Sequence, residues 1–355
     1  MSSRTARCAR IFALMACASA AAFLAPRPAA ADDVLHVVGG TTTPSLFDVE
    51  DMVADKGGFF KAEHLDVDKQ FSGSASVCFQ FIATGKGDIC TSSVEPVILG
   101  YAKGLRAVFF LNRDPRYDYV TAVLTTSPIK TLEDFKGANI GETNIGSTSE
   151  ITTNSVLSGA GLKKTDYSFT PVGQGALALT AVQSHKVDAM SMPTLELAVE
   201  QMVGGVKYRY FPDTRLSDIP NVGFAATPAV IASKGDLLKR YARAIVKASI
   251  VIRVNPQLAA RYFMEGSGQR VTDDSLALMT KEVIALEPDF PGYDLSNPRI
   301  GYYSPSGFEL YCKFIYDAGL TPALVPGNEL ITDQFIAYAN DFDKKAFIAQ
   351  AKAMH

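Results

Sequence analysis

"GSASVCFQFIATGKGDICTSS" occupies residues 73–93 and "GQGALALTAVQSHKVDAMSMP" occupies residues 173–193. Set one above the other, Gly73 meets Gly173, Lys86 meets Lys186 and Asp88 meets Asp188. Both segments have apolar residues at helical spacing, then a short polar turn, then a strand-like run. Upstream, "VVGGTTTPS" (37–45) parallels "NIGETNIGSTS" (139–149), a strand running into a hydroxyl-rich loop. A long-period repeat of this kind predicts two lobes of similar construction, the alternative being chance likeness between βαβ units.

Outside these segments strands and helices keep alternating. "VLHVV", "LDVDKQF", "DICTS" and "RAVFFLN" read as strands between the helices "FDVEDMVADKGGFF", "ASVCFQFIATG" and "EPVILGYAKG". The grammar restarts with "ANIGETNI", "YSFTPV" and "VDAMSM" between "STSEITTNSVLSGAG", "ALALTAVQS" and "TLELAVEQMVGG". Such alternation predicts an α/β fold, each lobe a mostly parallel sheet flanked by helices. "YDYVTAVLTT" (117–126) and "NVGFAATPAVIAS" (221–233) are the crossover strands of a hinge, and the helices after residue 228 return to the first lobe. The expected division is therefore 32–122 with 228–355 as lobe 1, and 123–227 as lobe 2. Strand ends of both lobes would face one cleft, where open α/β sheets bind ligands.

The N-terminus reads as a signal peptide over residues 1–31. Arg4, Arg7 and Arg10 precede the apolar run "IFALMACASAAAFLA", and Ala29-Ala30-Ala31 suits cleavage before Asp32. Lipoprotein processing at Cys17 is the rival reading. Without the four arginines of residues 1–31 the formal charge falls from −3 to −7, which disfavours nucleic acid and anionic membranes as partners. Roughly 320 remaining residues exceed one comfortable core, again favouring two lobes. Cys78 and Cys90 either bridge or are buried separately, and Cys312 within "FELYCKFIY" reads as helix core. His36, His64, His185 and His355 lack ligand spacing, so no metal and no cofactor is expected. No nucleophile elbow, P-loop or GxGxxG pattern occurs.

Four segments, in order over about residues 50–200, carry a family resemblance: "DKGGFFKAEHLDV", "IATGKGDICTSSVEPVI", "TTSPIKTLEDFKGANIGETNIGSTSEITTNSVLSGAGL" and "AVQSHKVDAMSMPTLELA". Together they resemble the periplasmic substrate-binding proteins of the nitrate/sulfonate/taurine and thiamine-pyrimidine-precursor group. His64, Asn139, Thr194 and Glu196 depart from the usual pattern. The resemblance implies a two-lobed periplasmic-binding-protein fold of type II. It implies a monomeric, periplasmic protein that captures a small organic solute, an organic anion such as a sulfonate or aromatic carboxylate. Delivery to the permease of an ABC transporter would follow. The alternative is an enzyme on the same fold acting on a pyrimidine or related thiamine precursor. Those enzymes carry a cysteine-rich motif that this chain lacks.

By position, the resemblance implies ligand contacts from Thr41, Thr42, Thr43, Pro44 and Ser45, from Ser72-Gly73-Ser74, and from Ser92, Ser93 and Glu95. It also implies contacts from Asn144 and Ser147-Thr148-Ser149, and from Pro193 and Thr194. The residues themselves offer reasons for some of these. Ser147, Thr148 and Ser149 stand where a strand turns into a helix, where hydroxyls either cap free amides or help hold an anion. Gly146 beside them permits close approach. Arg113 and Arg116 either fork onto an anionic ligand or pair with Asp114 and Asp118 at the surface. Tyr117 or Tyr119 either stacks on a flat ligand or packs. Asp88 and Asp188 read as structural, and the three acids of "SLFDVED" as a solvated face.

Overall fold

The computed structural model describes residues 33–114, 117–145, 147–212, 219–285, 294–317 and 319–355. The signal peptide, Cys17, Gly146 and Arg116 lie outside the described residues. In chain order the first elements are β1 (Asp33–Gly39), α1 (Val49–Lys56), α2 (Phe59–Ala62), β2 (Leu65–Phe71), α3 (Ala75–Ala83), β3 (Ile89–Ser93), α4 (Glu95–Tyr101) and β4 (Val108–Asp114). Next come β5 (Tyr119–Leu124), β6 (Asn139–Glu142), α5 (Thr148–Gly159), β7 (Ser168–Pro171), α6 (Ala176–Gln183), β8 (Ala189–Pro193), α7 (Thr194–Gly204) and β9 (Tyr208–Phe211). The chain closes with β10 (Val222–Ala226), α8 (Pro228–Val254), α9 (Pro256–Gly266), α10 (Asp273–Ala285), α11 (Pro305–Asp317), α12 (Ile336–Ala339) and α13 (Lys344–Ala353).

Two five-stranded sheets result, ordered β2-β1-β3-β10-β4 and β7-β6-β8-β5-β9. The orders are equivalent, and in each sheet one strand, β10 or β5, runs against the other four. The likeness extends to single hydrogen bonds. Asp88 accepts from the His36 amide at 3.0 Å, and Asp188 from the Asn139 amide at 2.8 Å. Gly73 and Gly173 both take left-handed φ values, 92° and 76°, and donate to the carbonyls of Thr41 and Thr143. Asp88 thus ties the turn before β3 to the middle of β1, and Asp188 ties the turn before β8 to the start of β6, the structural role read for them.

Each reversed strand lies between two other strands of its own sheet. Tyr119–Ala122 pair with β8, and Val222–Ala226 pair with β3 and β4. Each lobe thus completes its sheet with a strand that enters from the other lobe. All five residues of β10 are buried, as a central strand requires.

Helix α8 starts at Pro228, where Thr227 accepts a hydrogen bond from the Val230 amide. Its buried face, including Leu238, Tyr241 and Ile245, packs on the first lobe beside Val53, Phe60 and Phe224. The Tyr241 ring stacks on Phe60 with centroids 5.4 Å apart. Cys78 and Cys90 form a disulfide joining α3 to β3, and Cys312 is a free, buried thiol that burial pushes up to about 12. Of the described helices, none is long and apolar enough to cross a membrane.

The acids of "SLFDVED" are not solvated. Asp48, Glu50 and Asp51 are all buried, at and just before the start of α1, which packs against α8 and α9. Their charges are met from distant segments. Lys69 of β2 pairs with Asp48 at 2.9 Å and with Asp51, while Tyr241 donates its hydroxyl to Asp51. Burial pulls the Lys69 ammonium down, but the two carboxylates outweigh it and hold it above its usual range.

Candidate functional site

Strand ends and helix starts of both lobes meet around a cavity of about 60 Å³. The first lobe contributes Gly40 and Thr41 after β1, Phe47 and Asp48 before α1, Ala75 of α3, Thr91, Ser92 and Ser93 of β3, and Val222 of β10. From the second come Tyr119, Thr143, Asn144, Ser147, Thr148, Ser149, Gln174 and Pro193. Gly40 is required here, because a Cβ would stand 2.5 Å from the Ser92 hydroxyl oxygen. Asp48 is held by a capping box with Ser45: the Ser45 amide donates to Asp48 at 3.1 Å and the Phe47 amide to the Ser45 hydroxyl at 3.3 Å.

The start of α5 is open. Ser147 occupies the N-cap position but makes no side-chain cap; its hydroxyl instead donates to Glu142 Oε2 at 3.3 Å. By contrast, Ser74 caps α3 by accepting from the Val77 amide. The first amides of α5, with the positive end of its dipole, are therefore left for whatever enters the cavity. Burial first, then the nearby Glu150 carboxylate, pushes the Glu142 carboxyl up to about 7. Three buried polar atoms on the cavity wall have no partner among the described residues: Thr91 Oγ1, Asn144 Oδ1 and Ser149 Oγ.

Beside the cavity the lobes touch. Thr148 Oγ1 donates to Glu95 Oε2 at 3.3 Å and is hydrogen-bonded to the Ser93 hydroxyl. Tyr117 donates to Glu95 Oε1 at 2.8 Å and also contacts the Thr152 hydroxyl. Burial raises the Glu95 carboxyl, against the hydrogen bonds of Tyr311, Tyr117 and Ser93.

The expected site residues divide accordingly. Thr41, Ser92, Ser93, Asn144, Ser147, Thr148, Ser149 and Pro193 line the cavity. Thr43, Pro44 and Ser45 line an adjoining space, and Thr42 is exposed. Ser72 bonds the Gly39 and Ser74 carbonyls, Ser74 caps α3, and Gly73 makes the turn, so these three shape the wall from behind. Glu95 sits in the contact between lobes, and the Thr194 amide donates to the Asp118 carbonyl. Arg113 is not among the residues that line the cavity. It is buried, donating to Glu50 Oε2 at 2.9 Å and to the Leu46 carbonyl at 3.0 Å, with its guanidinium 5.3 Å from the Phe47 ring. Tyr119 is the tyrosine that reaches the cavity, whereas Tyr117 packs against Tyr311.

Sequence reading missed Gly40, Phe47, Asp48, Ala75, Thr91, Thr143, Gln174 and Val222. Thr143 was available, since aligning "VVGGTTT" with "NIGETNI" puts it opposite Thr41. Asp48 carried no such signal, because a carboxylate is tolerated in that buried wall only with Lys69, from another strand, against it.

Two lobes of equivalent strand order, joined by two crossings and closing helix starts and strand ends on one cavity, define the periplasmic-binding-protein fold. Residues 49–259, more than half of the chain, match the family described as NMT1/THI5 like, and the chain belongs to that family. A protein from Bordetella bronchiseptica RB50 is similar in structure at 22% identity and a TM-score of 0.70, over 87% of this chain and 97% of its own. The alkanesulfonate-binding protein SsuA of Xanthomonas axonopodis pv. citri, bound to MOPS, is similar at 14% identity and 0.62, over 87% and 99%. The periplasmic aliphatic sulphonate-binding protein SsuA of Escherichia coli is similar at 18% and 0.62, over 84% and 92%. No curated protein matches the sequence.

Proposed function

We propose that this chain is an extracytoplasmic solute receptor. It captures a small organic anion between its lobes, as a monomer, and delivers it to the permease of an ABC importer. The observation that carries the reading is the trio of unpartnered buried atoms, Thr91 Oγ1, Asn144 Oδ1 and Ser149 Oγ, drawn from both lobes around the uncapped start of α5. Buried polar groups without partners cost about 1–3 kcal/mol each, so a ligand that satisfies them is favoured. Hydroxyls and helix-start amides hold an anion without a full countercharge. The charge of Asp48 on this wall is partly offset by Lys69, which Asp48 shares with Asp51.

A sulfonate or aromatic carboxylate head fits the Thr91 and Ser149 hydroxyls and the α5 amides as donors, while Asn144 Oδ1 accepts from an O–H or N–H elsewhere on the solute, and the alkanesulfonate-binding relatives lend the class support. Thermal unfolding of the purified protein against alkanesulfonates, benzoate- and phthalate-type acids, hydroxymethylpyrimidine and nitrate tests the reading. A ligand at about 100 times its Kd adds about 2.7 kcal/mol and raises the midpoint by a few degrees. A shift with one class of acid and no turnover is the expected result. A shift with hydroxymethylpyrimidine alone, accompanied by its conversion, would replace the receptor with an enzyme.

A further inference from the structure

Next to the cavity lies a second space of about 420 Å³, and Gln174 lines both. It too is bounded by both lobes, with Thr43–Leu46, α9 and α10 on one side and α6 and α7 on the other. Leu179, Leu195, Val199 and Phe263 give it apolar walls. Set into those walls are three carboxyls, Glu196 and Glu200 one turn apart on α7 and Glu282 on α10, with no lysine, arginine or histidine among the lining residues.

Glu200 is 2% exposed. Its Oε2 accepts the Tyr208 hydroxyl, while Oε1 is buried without a partner among the described residues. Burial raises all three carboxyls, Glu196 and Glu200 to about 7, and Glu196 is raised further by its two acidic neighbours. Among the described residues no group of acids is disposed to hold a metal ion. An inorganic cation is therefore a poor match. An alkylammonium group suits every feature: it supplies N–H donors to Glu200 Oε1, positive charge to the three acids and methylenes to the apolar walls.

We infer that this second space is a subsite for an ammonium group on an apolar stem, reached by the far end of a solute whose acidic head lies at the start of α5. The inference rests on the reading of the first cavity as the anion site. It narrows the solute to a chain with opposite charges at its two ends.

Calorimetric titration of the purified protein at neutral pH tests it with n-alkanoates, the matched ω-aminoalkanoates and hexylammonium. At the length that spans both spaces, the amino acid binds about tenfold tighter than its plain counterpart. That advantage falls to about twofold or less in Glu196→Gln/Glu200→Gln, and separately shrinks in Glu282→Gln, while plain alkanoates bind as before. Equal binding of the paired probes at every length, or an advantage that survives the double substitution, overturns the subsite. Should no acid-headed probe bind, the anion site itself fails and hexylammonium decides the subsite. Heat from hexylammonium that vanishes in the double variant supports it, and silence overturns it.

Discussion

Ser93, ending β3, and Thr148, beginning α5, are hydrogen-bonded hydroxyl to hydroxyl across the cleft. Thr148 is thereby shared between the cavity wall and the contact that joins the lobes, since it also donates to Glu95. Closure and ligand capture use the same side chain, so a ligand that orders Thr148 also favours the closed pairing.

Thr148→Ala removes the two bonds that this residue makes across the lobes, leaving the one between Tyr117 and Thr152. At about 0.5–1.5 kcal/mol each, their loss moves the closed-to-open ratio by roughly tenfold toward open. Small-angle X-ray scattering of the ligand-free variant should show a larger radius of gyration than the parent. An unchanged radius would mean that these bonds do not hold the lobes together.

Glu142, Glu196 and Glu200 titrate near 7 in the folded chain, above their ordinary 4.5, chiefly because burial disfavours the charged form. Between those values the native state binds more protons than the unfolded one. The stability they contribute is full below about 4.5 and is lost as pH rises through about 7. Glu142→Gln, which mimics the protonated form, should therefore match the parent at low pH and exceed it above pH 7 by on the order of 1 kcal/mol. Urea unfolding at both ends of the range checks this, and a pH-independent difference would remove Glu142 as the cause.

Asp88 and Asp188 hold equivalent backbone bonds, and among the described residues Asp88 has an ion pair in addition, with Lys234 at 2.7 Å. Replacing Asp88 by Ala should cost about 2–3 kcal/mol and replacing Asp188 about 1 kcal/mol. Denaturation midpoints of the two variants, measured side by side, give the ranking. A reversed order would show that the second lobe depends more on this bond than the first.

The Cys78–Cys90 disulfide closes a loop with a sequence separation of 12. Its removal as Cys78→Ser/Cys90→Ser should lower stability by about 3 kcal/mol, and a reductant should have the same effect on the parent but none on the variant. Thermal unfolding with and without reductant reads both. A parent indifferent to reductant would place the two sulfurs unbonded in solution.

Much of the architecture could be read along the chain. Gly73 and Gly173, Lys86 and Lys186, and Asp88 and Asp188 mark equivalent turns because each turn is local, needing a left-handed residue or an aspartate beside a strand. Hydroxyls at helix starts were legible for the same reason. Whether each one caps, braces or faces the cavity was not. Ser74 caps its helix and Ser147 does not, although both precede an α-helix, because Glu142 draws the Ser147 hydroxyl away.

By itself the sequence determined the alternation of strand and helix, the repeat and the clustering of hydroxyls where strands end. These are properties of spacing over a few residues. Tertiary structure alone decided that β5 and β10 complete the opposite sheets, that Asp48, Glu50 and Asp51 could be buried, and that Arg113 pairs with Glu50. A buried charge is tolerable only when its counter-charge arrives from elsewhere in the chain, and nothing in local spacing announces that arrival. Lys69 and Arg113 come from separate strands to meet the acids around α1, and only the folded chain brings them there.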